Sequence, residues 1–215
     1  MIDNIDLIKP LLSFDKEGDF YQLFVLLRKK DQTTNKANHQ SVRTIKSYCI
    51  TSHEYLDKRY EEIKMLCEVF KARAYIHVSK QNHMDVSLNM ISEIVTRIQS
   101  GQMNQKNVFD SVVGQIKTQE KRWIIDVDEL NVSPLMMAHI EYGCRPITEQ
   151  TFDQVGIPTG FKVGPKIETI IPTKNGHHII TKRFDVQAFK EKYPDVDIQK
   201  KNPTLLYYPN SLNND

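Results

Sequence analysis

Between Arg43 and Ser79 the hydrophobic period changes twice, and that change limits the fold more than any other feature of the chain. RTIKSYCI at 43–50 alternates apolar and polar residues with period two, the pattern of a half-buried strand. Leu56, Tyr60, Ile63, Cys67 and Phe70 then recur at spacings of four, three, four and three, which draws one apolar stripe along an amphipathic helix. RAYIHVS at 73–79 returns to strand character. A helix between two strands covers one face of a sheet, so purely helical and purely stranded folds are excluded for this segment. Thr51 and Glu54, three residues apart, have capping-box spacing for the start of that helix.

The remaining elements follow from the same periods. YQLFVLL at 21–27 reads as a strand or a buried helix and leads into a polar, Asn-rich loop at 28–40. A second helical period, Leu88, Ile91, Val95 and Ile98, closes at Gly101, and Val108, Phe109, Val112, Val113 and Ile116 make a third. Both are expected to be scaffold. After Lys121 and Arg122, RWIIDVDEL is a strongly apolar strand that ends in acids; Ser133-Pro134 fits a helix cap and first turn, and Gly143 a stop. GPKIETIIPTKNGHHIIT supplies further strands around an Asn175-Gly176 turn. Asp185 caps a short helix that Pro194 ends, and VDIQKKNPTLLYYP is expected as a final strand pair. The expected architecture is α/β or α+β: an N-terminal strand-helix-strand lobe over 1–119, and a lobe of mixed or antiparallel sheet with flanking helices over 120–215.

Composition decides the class of partner. A chain of 215 residues with 40% hydrophobic and 26% charged side chains buries a real core. Lys+Arg at 29 against Asp+Glu at 27 leaves a net charge of +2, so no global basic field marks a nucleic-acid coat, and any polyanion site must be local. Cys49, Cys67 and Cys144 are odd in number and widely spaced, which argues against a disulfide framework and against structural zinc, and implies a reducing cytoplasm. The start MIDNIDLIKP lacks a basic segment followed by a long apolar one, and no run approaches the ~18 apolar residues of a membrane span, so secretion and membrane insertion are disfavoured.

Three places can carry chemistry. Asp126 and Asp128 stand two apart on a strand and leave the sheet on the same side, whereas Glu129 points the other way. Paired carboxylates of this kind are hard oxygen ligands for Mg²⁺ or Mn²⁺, the ions of phosphoryl-transfer sites; the plainer reading is a polar strand end. In PTKNGHHIITKR, His177 and His178 face opposite ways, and Lys174, Lys182 and Arg183 add the positive charge that suits a triphosphate; the plainer reading is a surface hairpin. Asp195 and Asp197 repeat the two-residue spacing and offer a third carboxylate, although Asp195 after Pro194 also suits a turn. From Arg145 to Lys201 ten basic residues face seven acidic ones, a mild bias toward phosphate.

The order RWIIDVDE, PTKNGHHII, DVDIQKKNPTLLYYPNS resembles the three motifs of archaeo-eukaryotic primases and primase-polymerases, over roughly residues 120–212. The chain is also similar to small phage-encoded proteins of this kind. The resemblance implies an RNA-recognition-like catalytic core and two divalent ions held by Asp126, Asp128 and either Asp195 or Asp197. It implies that His178, two residues after Gly176, touches the phosphates of a nucleoside triphosphate, with His177, Lys174, Lys200, Lys201 and Asn202 near the nucleotide. Template-directed addition of nucleotides to a 3′-hydroxyl on a single strand is the implied activity, with a helicase or another replication protein as partner, in the cytoplasm of a bacterial host. The third motif leaves its aspartate open: Val196 before it favours Asp197, and the distance to Lys201-Asn202 favours Asp195. Neither a Cys/His cluster nor a Walker-type phosphate loop accompanies the motifs.

Two other classes compete. His77 and Ser79 form a His-x-Ser pair like those of phosphoesterases that work through two such motifs without metal, but the second motif is poor because Thr181 falls three residues after His178. A catalytically degenerate module that binds nucleic acid or a replication protein is the non-enzymatic alternative. Trp123 and Tyr207-Tyr208 could then stack on bases, yet all three fit a core, as do Met136, Met137 and Phe184.

Overall fold

The computed structural model describes residues 1–28, 31, 42–102, 107–116, 121–129, 131–144, 150–152, 154–155, 158–161 and 165–209. Most of the polar 28–40 loop and the Asn-rich tail lie outside them. Among the described residues the strands are β1 (Ile2–Asp3), β2 (Asp19–Leu27), β3 (Arg43–Ile50), β4 (Arg73–Ile76), β5 (Gln81–Asn82) and β6 (Trp123–Val127), then β7 (Gln150–Phe152), β8 (Pro158–Phe161), β9 (Ile167–Pro172), β10 (His177–Thr181), β11 (Asp197–Gln199) and β12 (Thr204–Tyr208). The helices are α1 (Ile5–Ile8), α2 (His53–Val69), α3 (His83–Gln99), α4 (Val108–Gln115), α5 (Pro134–Ala138) and α6 (Val186–Lys192). The chain is mixed α+β, and its paired strands run antiparallel. It divides into two compact units, Met1–Glu120 with Pro203–Asp215, and Lys121–Asn202.

In the first unit the sheet order is β1-β12-β4-β2-β3, with β5 on the other end of β2. β2 is the hub, and Phe20, Tyr21, Leu23 and Val25 along it are fully buried. α2 lies against β2, β3, β4 and β12, and buries Leu56, Tyr60, Ile63 and Cys67 as the spacing predicts. Phe70, expected as the last member of that stripe, is the residue at which α2 ends and is 42% exposed. The cap is also one residue later than expected. Ser52, extended at φ −162°, accepts a hydrogen bond from the Tyr55 amide, a role that Thr51 does not take.

α3 and α4 pack on each other and close a smaller core of Phe20, Val86, Val108, Val112 and Val113. α3 turns Val86, Met90 and Ile94 toward that core, whereas Leu88, Ile91, Val95 and Ile98, the residues of the expected helical period, are exposed. A helix offers about 100° of arc to one neighbour, and here that arc is filled by the other apolar face. β11 and β12 do not pair with each other: β11 joins β6 in the second unit, while β12 runs back to lie between β1 and β4 in the first. The expected lobe over 120–215 therefore ends near Asn202. TLLYY is buried at every position, and a strand apolar on both faces is suited to the interior of a sheet.

The second unit has the sheet order β11-β6-β10-β9. In chain order β6, α5, β9, β10, α6 and β11 alternate as strand, helix, two strands, helix, strand, with the β7-β8 hairpin inserted before β9. One face packs Ile125, Val127 and Ile179 against Met136, Ile140, Cys144, Phe184 and Phe189. The helices form where their local signals stand: Asp185 Oδ1 accepts from the amides of Gln187 and Ala188 at 3.0 and 3.1 Å, and Pro134 opens α5. Trp123, half buried, meets Phe184 edge-on with ring centres 5.3 Å apart.

Candidate active site

β6 sets the site because its alternation separates two chemistries. Trp123, Ile125 and Val127 go to the helix-covered side; Asp126, between the last two, goes to the other. Ile124 and Ile125 are buried, so the acid emerges from a rigid stem. Asp126 has a cross-strand neighbour on each side: Asp197 of β11 and His178 of β10. Directly opposed residues of antiparallel strands project to the same face, so register alone brings the three together. His178 Nε2 stands 3.5 Å from Asp126 Oδ1, with the histidine side chain 10% and the aspartate 30% exposed. One side of the pair is thus fixed in the protein while the other is open to solvent.

Asp197, not Asp195, is the strand residue opposite Asp126; Asp195 sits exposed in the turn before β11. Gln199, which the motif reading missed, completes the group. Its amide Nε2 donates to Asp126 Oδ2 at 3.1 Å and to Asp197 Oδ2 at 3.0 Å, and so spans the two carboxylates. The signal for it was available, since Gln199 lies two residues after Asp197 on the same strand face.

Asp128 lies one residue beyond β6 and is exposed. Beside it passes the β9-β10 turn, closed by the Thr173 amide donating to the Gly176 carbonyl at 2.8 Å. A Cβ on Gly176 would stand 1.9 Å from the Val127 carbonyl oxygen and 2.9 Å from Asp128 Cα, so only glycine lets the turn approach this closely. His177 faces away from His178, as expected. Its Nδ1 is 3.2 Å from the Glu129 carbonyl oxygen, a contact that requires the proton on Nδ1 because a carbonyl only accepts. Lys174 is exposed in the turn. Lys200 does not join the carboxylates: its ammonium lies 5.0 Å from the centre of the Trp123 ring, which belongs to the helix-side core. Lys201 and Asn202 follow on the exposed segment that leaves β11.

Among the described residues no three His, Cys, Asp or Glu side chains are grouped closely enough to enclose a metal ion, and the carboxylate set at this face is the pair Asp126 and Asp197. In the first unit, His77 follows the end of β4, edge-on to Phe24 at 5.8 Å; loss of solvation pushes its imidazole pKa down to about 4. No helix among the described residues is long and apolar enough to cross a membrane. The chain matches no family model, no curated protein and no solved structure.

Proposed function

We propose that Lys121–Asn202 is the nucleotidyl-transfer core of a primase-polymerase, which extends a 3′-hydroxyl from nucleoside triphosphates on a single-stranded template in the cytoplasm. The observation that carries this reading is the flanking of Asp126 by Asp197 and His178 on one sheet face. The sheet order supports it, since β11-β6-β10-β9 with two intervening helices is the split β-α-β arrangement on which RNA-recognition-like sheets are built.

The residues fit divalent ions. Asp126 and Asp197 supply hard oxygens, and the two N–H groups of the Gln199 amide span them in the place a cation would take. Asp126 and Asp197, the carboxylate pair of this face, would hold Mg²⁺ or Mn²⁺, which when bound would neutralise triphosphate charge and make the attacking hydroxyl more acidic. The chain's own groups do the rest. His178, held against Asp126 and mostly buried, donates from a fixed position to phosphate oxygens, and fixed donors need no reorganisation as charge develops. Gly176 keeps the turn that carries Lys174 close to the carboxylate strand. Lys201 and Asn202 flank the same edge, and single-stranded template meets local rather than global positive charge.

The test is label incorporation from dNTPs and NTPs on a primed single strand, in Mg²⁺, Mn²⁺ or EDTA. Asp126→Asn and Asp197→Asn should each lose at least about a hundredfold in rate with the fold intact, and Asp195→Asn far less. Folded wild-type protein that extends nothing in either metal sinks the proposal. Activity that survives both substitutions removes the site.

A further inference from the structure

We infer that this protein forms a two-fold dimer through α3, independently of the catalytic reading. Met84, Leu88, Ile91, Val95 and Ile98 recur at spacings of four, three, four and three, and each is between 46 and 67% exposed. That alternation averages 3.5 residues, the repeat with which one helix packs knobs into the holes of another. The helix is already apolar on its inner side, where Val86, Met90 and Ile94 meet α4 and Phe20, so the outer stripe is not used by the core that α3 helps to close.

The occupant is a second copy. Among the described residues no other helix leaves such a repeat uncovered: Met65, Val69 and Leu135 are exposed, but they do not extend into one. The surface that matches a 4-3-4-3 seam is therefore the same seam, and a patch that meets itself closes as an isologous pair. Ser87, Ser92 and Gln99 flank the stripe, so close approach strands no charged group there. Asp85 is exposed in the first turn, whereas Arg97 in the last is already held by Glu93 at 2.8 Å on the inner side, so the antiparallel arrangement is favoured by the opposed macrodipoles and not by a charge pair. At roughly 100 Å² each, five side chains present about 500 Å² per copy, and two copies bury about 1,000 Å², the threshold size for specific association. The helix is prefolded on its own core, with Asn82 accepting from the Met84 amide at 3.0 Å, so docking orders no new backbone.

Sedimentation of the full chain decides it. The wild type should double its mass as concentration rises through the micromolar range, and Leu88→Lys with Ile91→Lys should stay monomeric with an unchanged circular dichroism spectrum. A Leu88→Glu, Ile91→Glu chain mixed with the lysine pair should restore the doubled mass, which separates loss of the interface from loss of the fold. A wild type that remains monomeric at hundreds of micromolar, or lysine and glutamate chains that each still dimerise alone, overturns the proposal. So does a monomer that binds lipid vesicles through the same residues, which would make the stripe a membrane-surface face.

Discussion

α2 and α3 are each 17 residues long, are each capped by a polar side chain, and each carry an apolar stripe at helical spacing, four, three and four on α2 and four, three, four and three on α3. On α2 the stripe of Leu56, Tyr60, Ile63 and Cys67 is between 0 and 9% exposed; on α3 the equivalent stripe is about half exposed. Periodicity states that a helix has an apolar face, and says nothing of what covers it. α2 meets a sheet, while α3 spends a different face on the core and keeps this one outside.

The largest expected difference is chemical. Burial pushes the Cys67 thiol up to about 12, so at pH 8 only about one molecule in ten thousand carries the thiolate. Cys67 should therefore react with a disulfide reagent at least about a thousandfold more slowly than a thiol placed by Ile91→Cys at low protein concentration. Equal rates would mean that the α2 face opens readily. Truncation comes next. Leu56→Ala or Ile63→Ala should cost about 2–5 kcal/mol in urea unfolding, against about 0.5 kcal/mol or less for Leu88→Ala or Ile91→Ala measured on the monomer. A comparable loss on both helices would erase the contrast.

Concentration gives a smaller handle. If α3 is an interface, a tenfold rise in protein should stabilise the wild type by about 1 kcal/mol and leave the Leu88→Lys, Ile91→Lys chain unmoved in thermal unfolding. The smallest effect should treat the helices alike. Ser52→Ala and Asn82→Ala remove the acceptors for the Tyr55 and Met84 amides and should each cost about 1 kcal/mol, whereas Thr51→Ala should change stability by less than about 0.5 kcal/mol. A larger loss from Thr51→Ala would return the cap to the capping-box position.

Much of the site was legible because its parts are local. The strand that carries Asp126, the turn at Gly176 and the opposed histidines all follow from period two and from turn chemistry. The choice between Asp195 and Asp197 was not legible, since both lie near the start of the same short strand and only register tells which stands opposite Asp126. Gln199 escaped for the same reason: its partner Asp126 is 73 residues away in the chain. Lys200 looked suited to phosphate by charge, but the ring it lies over belongs to Trp123, its neighbour across two strands rather than along one.

By itself the sequence determined the elements, because apolar period, caps and turn residues act within a few positions of each other. It determined that α2 and α3 are amphipathic, that Asp185 caps α6, and that the two histidines face apart. Only the tertiary structure decided which strand joins which sheet, which acid meets Asp126 and which apolar stripe is covered. Those outcomes depend on pairings between segments far apart in the chain, and a pairing is selected by the competition of all faces for cover, not by any one of them.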